Sequence, residues 1–140
     1  MLPQKIIVGV LALLLSACAG ASKSATDITV KLADFSYIPS SITIPVGQPV
    51  VLTINNTGLV EHDFVVEKID VTDVVAQDSG SEHHMQGMDS ATYDLHVATG
   101  AGQTNSLQFT ALEPGTYQIF CSVEGHIEAG MIGELIVVSE

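Results

Sequence analysis

Apolar and polar residues alternate along most of the chain, in short runs with a period of two. Ile28, Val30 and Leu32 alternate with polar neighbours, and Ile42 and Ile44 do the same before Pro45-Val46-Gly47. Val50, Leu52 and Ile54 repeat the pattern up to the turn-forming Asn55-Asn56-Thr57-Gly58. His62, Phe64 and Val66 follow, then Leu95 and Val97, then Leu107 and Phe109. Beyond Glu113-Pro114-Gly115 come Tyr117, Ile119 and Cys121, and the last run sets Met131, Gly133, Leu135 and Val137 on one face. A period of two places every second side chain on one face of a strand. Short runs at regular spacing, punctuated by Gly, Pro and Asn, predict an all-β antiparallel sandwich. The pattern fails between residues 67 and 92. Ile69, Val71, Val74 and Val75 suit a short helix or an irregular strand, and Gln77 to Ser90 reads as a long polar loop.

The N-terminus is of another kind. Lys5 precedes an apolar run from Ile6 to Leu15. That run is too short to span a bilayer and matches a signal-peptide core. It ends in Leu15-Ser16-Ala17-Cys18, which resembles the lipobox of bacterial lipoproteins. The resemblance implies cleavage before Cys18 and lipid on its sulfur and new amino group. The expected organisation is therefore a signal peptide at 1–17, a lipid-anchored flexible tether at 18–26 and one domain at 27–140. The domain would lie outside the cytoplasm, on the periplasmic side or outer face of the cell envelope.

Charge narrows the partners. The 140-residue chain has four lysines, no arginine and sixteen acids, for a net charge of −12. Losing residues 1–17 removes Lys5 and leaves −13. Nucleic acid needs a basic face, so it is excluded as a partner. Long-range attraction would instead favour a basic protein such as a cytochrome, although solubility alone also accounts for the acids. Glycine patterns for nucleotide binding and a G-x-S-x-G nucleophile are absent from the sequence.

With Cys18 lipidated, Cys121 is the one remaining cysteine and has no disulfide partner. A free thiol in an oxidising compartment needs something to hold it, and a metal would do so. Cys121, His126 and Met131 lie within eleven residues, in a loop between two predicted strands, with His62 on a separate strand. Two imidazoles and a thiolate in a plane, with a weak distant thioether, suit an electron-transfer copper site. A stiff trigonal arrangement suits both Cu(I) and Cu(II) moderately, so little moves when the electron does. The single remaining cysteine disfavours structural zinc, which takes four Cys/His ligands.

The stretch from Gly115-Thr116-Tyr117 through Cys121, His126, Met131 and Gly133-Glu134-Leu135 resembles the C-terminal hairpin of cupredoxins, the plastocyanin- and azurin-like blue-copper family. Val60-Glu61-His62-Asp63-Phe64 resembles the strand carrying that family's first histidine. The resemblance spans roughly residues 27–140 and is weakest at 67–92. It implies a Greek-key sandwich, His62, Cys121 and His126 as equatorial ligands of one type 1 copper, and Met131 as the axial one. Both ligand intervals are x4, as in rusticyanin, so a reduction potential does not carry over. Asp63 stands where many relatives have asparagine, and is expected to brace the ligand loop near Cys121. Glu124 replaces a common proline. His126 would be the electron exit, with Leu59, Val60, Ile127 and Ala129 as an apolar ring.

The reading is a monomeric, lipid-anchored carrier of single electrons between redox proteins, a basic cytochrome or a terminal oxidase among them, and not an enzyme. The alternative is copper delivery or buffering. It would use the same site plus His83, His84, Met85 and Met88, a possible second copper site in the long loop, with His96 on the strand beyond.

Overall fold

The computed structural model describes residues 24–77 and 93–139. Ten strands make up its regular structure: β1 Thr26–Ala33, β2 Ser36–Ile38, β3 Ser41–Pro45, β4 Pro49–Asn56, β5 His62–Val66, β6 Val71–Gln77, β7 Leu95–Thr99, β8 Thr104–Ala111, β9 Gly115–Phe120 and β10 Ile132–Val138. They form two five-stranded sheets, β2-β1-β4-β8-β6 and β3-β10-β9-β5-β7. The chain is thus an all-β sandwich, as the alternation predicts. Pairing within the sheets is mixed, however. β1 runs parallel to β4 and β3 parallel to β10, while the other pairs are antiparallel. Alternation looks the same in either orientation, so the pattern along the chain does not encode this difference.

β4 shows how the sequence builds the sandwich. Val50, Leu52 and Ile54 are buried, and the residues between them are only partly covered. They meet Phe64, Leu107, Phe109, Ile119 and Leu135 in one core. Full burial of each such side chain is worth about 1.5–3 kcal/mol. The uncertain stretch after Ile69 is an irregular strand. β6 shifts register against β8 between Thr72 and Val75, and Asp73 there takes a left-handed φ of 56°. That bulge breaks the alternation and explains why the stretch also suited a helix.

Two features position the site. Asn56, buried at the end of β4, donates from Nδ2 to the carbonyls of Val60 (2.8 Å) and Thr99 (2.7 Å). Its Oδ1 accepts from the Gly58 N–H at 2.9 Å. The turn leading into His62 is thereby tied to β7. β5 itself is buried along its whole length. Phe64 and Val66 belong to the core, whereas Asp63 and Val65 occupy the opposite face of the strand.

Candidate metal centre

The loop from Cys121 to Met131 is closed at its neck by the last β9–β10 pair, Phe120 with Ile132. Just above that pair the Cys121 N–H donates to the Met131 carbonyl at 3.3 Å. Inside the loop, the Met131 N–H donates to the His126 carbonyl (2.9 Å) and the His126 N–H to the Val123 carbonyl (3.1 Å). Gly125 (φ 81°) and Gly130 (φ 96°) supply the left-handed turns that let so short a loop fold back on itself. His62 opens β5, and β5 meets β9 at Val65 and Phe120. The strand-borne histidine therefore faces the loop.

His62, Cys121 and His126 converge, each buried, with one donor atom apiece inside a 4.8 Å group. His62 Nδ1 lies 3.1 Å from His126 Nδ1, and Cys121 Sγ lies 3.2 Å from the same nitrogen. Two ring nitrogens and a sulfur crowded this closely can share a proton, or they can share a cation. Burial pushes the Cys121 thiol up to about 12, with the nearby Asp63 carboxylate adding to the effect. Burial, then the neighbouring His62 ring, pushes the His126 imidazole below its ordinary value. Near pH 7 the site therefore offers a neutral His126 imidazole and a thiol that loses its proton when a metal takes its place. Met131 is fully buried at the loop neck, in the same core as Cys121.

Around these donors lies a hydrogen-bonded frame. Asp63 Oδ1 accepts from the Ser122 N–H at 2.7 Å, and Oδ2 accepts from the Ser122 hydroxyl and from His96 Nε2–H at 3.2 Å. Burial opposes ionisation of Asp63, but the bonds from His96 and Ser122 outweigh it and hold the carboxyl below its usual range. Tyr37 Oη donates to the Asp63 carbonyl at 2.7 Å, which anchors β5 to β2. On the other side, Asp34 Oδ1 lies 3.3 Å from His62 Nε2 and accepts from the Leu59 N–H at 2.9 Å. The Leu59 N–H, then the His62 ring, hold the Asp34 carboxyl below its usual range. Phe35 sets its ring edge-on to His126, with centroids 5.1 Å apart.

Sequence reasoning passed over Asp34 and Phe35 and read Gly58 only as part of a turn. Asp34 and Phe35 are the two-residue turn between β1 and β2, and nothing in the local pattern sets them apart from any other turn. It also set His96, on the strand beyond, beside the possible second copper site of the long loop, whereas the structure joins it to Asp63. His83, His84, Met85 and Met88, together with Cys18 and the signal segment 1–17, lie outside the described residues.

The sequence profile of copper-binding proteins of the plastocyanin/azurin family matches residues 24–138. The chain belongs to that family. The copper-resistant cuproprotein CopI of Rubrivivax gelatinosus is 31% identical over 118 residues, which cover 84% of this chain and 69% of that protein. Among solved structures, dithionite-reduced auracyanin of Roseiflexus castenholzii superposes with a TM-score of 0.61 at 23% identity, covering 83% of this cupredoxin and 98% of that chain. Auracyanin A of Chloroflexus aurantiacus, a blue copper protein, gives 0.61 at 20% identity, covering 82% and 100%. At these identities the likeness to the auracyanins is one of fold. The donor set passes its own test for copper. It has one thiol, which becomes a thiolate on taking a metal, and two imidazoles, each able to direct a lone pair at a common point, and all three are buried. The His62–Cys121–His126 triangle fits one type 1 copper.

Proposed function

We propose that this cupredoxin carries single electrons outside the cytoplasm, tethered to the cell envelope by lipid on Cys18. The observation that carries the reading is the convergence of His62 Nδ1, His126 Nδ1 and Cys121 Sγ on one buried point, with donors from β5 and from the closed loop after β9. Bound copper would supply a one-electron Cu(I)/Cu(II) couple. His62, Cys121 and His126 would hold it, and the Met131 thioether would serve as a further, weaker donor. The loop hydrogen bonds and Asp63 keep these donors still, which keeps reorganisation small. His126, 8% exposed, is the way out for the electron. Phe35 lies against its ring, and Leu59, Val60 and Ile127 are exposed residues of the turns on either side. Exposed apolar residues with acids beside them in the chain (Asp34, Glu61, Glu124 and Glu128) suit brief contact with a basic redox protein, a cytochrome or a terminal oxidase. No step here calls for an enzyme.

A second reading is copper handling, with delivery or buffering as the task. It is favoured by the likeness to CopI, whose name records copper resistance. The two differ in what happens to the metal. A carrier keeps Cu(I) against a competing chelator and exchanges electrons quickly. A delivery protein gives Cu(I) up and depends on His83, His84, Met85 and Met88.

The deciding experiment adds one equivalent of Cu(II) to metal-free protein and records visible absorption and electron paramagnetic resonance, with Cys121→Ser alongside. The expected result is an intense blue charge-transfer band with narrow copper hyperfine splitting, lost in the variant. A pale Cu(II) spectrum indifferent to the substitution would remove the blue-copper reading. Electron self-exchange and Cu(I) retention then separate the carrier from the delivery protein.

A further inference from the structure

We propose that Asp34 is a positioning residue for His62, holding the ring's proton on Nε2 so that Nδ1 faces the metal, and biasing the site toward the oxidised state. The inference rests on the copper reading above. Asp34 sits at the tip of the β1–β2 hairpin, where Ala33 pairs with Ser36. Its Oδ1 meets His62 Nε2 at 3.3 Å on the side of the ring away from the donor triangle. With Nε2 donating, Nδ1 carries a lone pair directed at His126 and Cys121. A carboxylate on the far side of a ligating imidazole also makes that imidazole a stronger donor.

Two independent features show that the contact is built. The first is Gly58. A Cβ at that position would collide with Asp34 Oδ1 and come within 3.0 Å of His62 Nε2 and 3.2 Å of Asn56 Oδ1. The absence of a side chain there leaves room for the carboxylate to reach the ring. The second is Phe35, which holds a left-handed φ of 62° although it is not glycine. Such a conformation is uncommon for a bulky residue and persists only where surrounding contacts enforce it. Here Phe35 packs edge-on to both rings, 5.1 Å from His126 and 6.3 Å from His62. The hairpin tip thus grips both histidines, one by charge and one by an aromatic edge. Asp34 is itself fixed from a second direction by the Leu59 N–H.

The test compares the full chain with D34N, D34A, G58A and the control D27N, which removes the same charge near the far end of β1. Each is loaded with one equivalent of Cu(II), and its blue band, copper hyperfine splitting and reduction potential are measured. D34N keeps an acceptor for His62 and loses the charge. Its preference for Cu(II) over Cu(I) should fall about tenfold, which raises the potential by about 59 mV. D34A and G58A should raise it as well and alter the hyperfine splitting, because the ring is no longer held. D27N should move it far less. A D34N potential indistinguishable from that of D27N, with the blue band intact throughout, would overturn the role of Asp34 and leave the copper site standing. Absence of the blue band from the unmutated protein would instead overturn the copper reading on which this rests.

Discussion

Replacing Asp63 tests the frame around the ligand loop. Asp63 is 4% exposed, and its carboxylate accepts three hydrogen bonds, from the Ser122 N–H, the Ser122 hydroxyl and His96 Nε2–H. A hydrogen bond to a charged group contributes a net of about 1.5–3 kcal/mol. The three do not add in full, because Ser122 and His96 are partly exposed and can turn to water. Asp63→Ala is expected to cost about 3–5 kcal/mol on that basis. For a domain of this size the loss lowers Tm by roughly 12–20 °C. Asp63→Asn retains an acceptor for the Ser122 N–H and should cost about 1–2 kcal/mol. Denaturant unfolding of the metal-free proteins at pH 7 measures both. The sign of the pH dependence follows from a carboxyl held below its usual range in the folded state. Its contribution is complete above the unfolded value of about 3.9 and is lost as pH falls from there through the folded value. The gap between wild type and Asp63→Asn should therefore be constant from pH 7 to about 5 and close at lower pH. A loss in Asp63→Ala below about 1 kcal/mol, or a gap that survives acidification, would refute the reasoning.

Copper loading should displace the Cys121 proton, since burial holds that thiol up to about 12. Below that pH, each loading event releases about one proton and apparent affinity rises about tenfold per pH unit, as competition titrations across neutral pH would show. Phe64 is fully buried and edge-on to Tyr37, with centroids 6.1 Å apart. Phe64→Ala should destabilise the domain by about 3–5 kcal/mol in chemical denaturation. Electron transfer to a basic cytochrome should slow as salt rises, because the Debye length shrinks from about 10 Å at 0.1 M to about 3 Å at 1 M. A stopped-flow rate that ignores ionic strength would count against charge steering.

The strands were legible wherever one face meets the core, because burial of every second residue imposes a period of two. Val50, Leu52 and Ile54 state it openly, and so do Leu95 and Val97. β6 was ambiguous because its bulge at Asp73 puts two neighbouring positions out of phase. The donors on the C-terminal loop were legible for a different reason. A loop of eleven residues pinned between two strands cannot carry Cys121, His126 and Met131 far apart, so closeness in sequence already meant closeness in space. His62 lies 59 positions before Cys121 and entered as a histidine on a separate strand, to which the resemblance then gave a role. Only packing of β5 against β9 brings its Nδ1 to within 3.1 Å of His126.

What only the tertiary structure decided is how distant strands meet. Orientation within a sheet depends on connections between elements, and a side-chain pattern along one strand carries no record of it. The parallel pairing of β1 with β4 was therefore invisible, and with it the route that carries the β1–β2 turn to the metal centre. Asp34 and Phe35 look like ordinary turn residues, and His96 like an incidental histidine. Their contacts with His62, His126 and Asp63 arise from elements separated by 27 to 91 positions in the chain. The sequence by itself determined the class of fold and the kind of chemistry, because both depend on local periodicity and on which donors exist. How each donor is held was decided by the packing of two sheets.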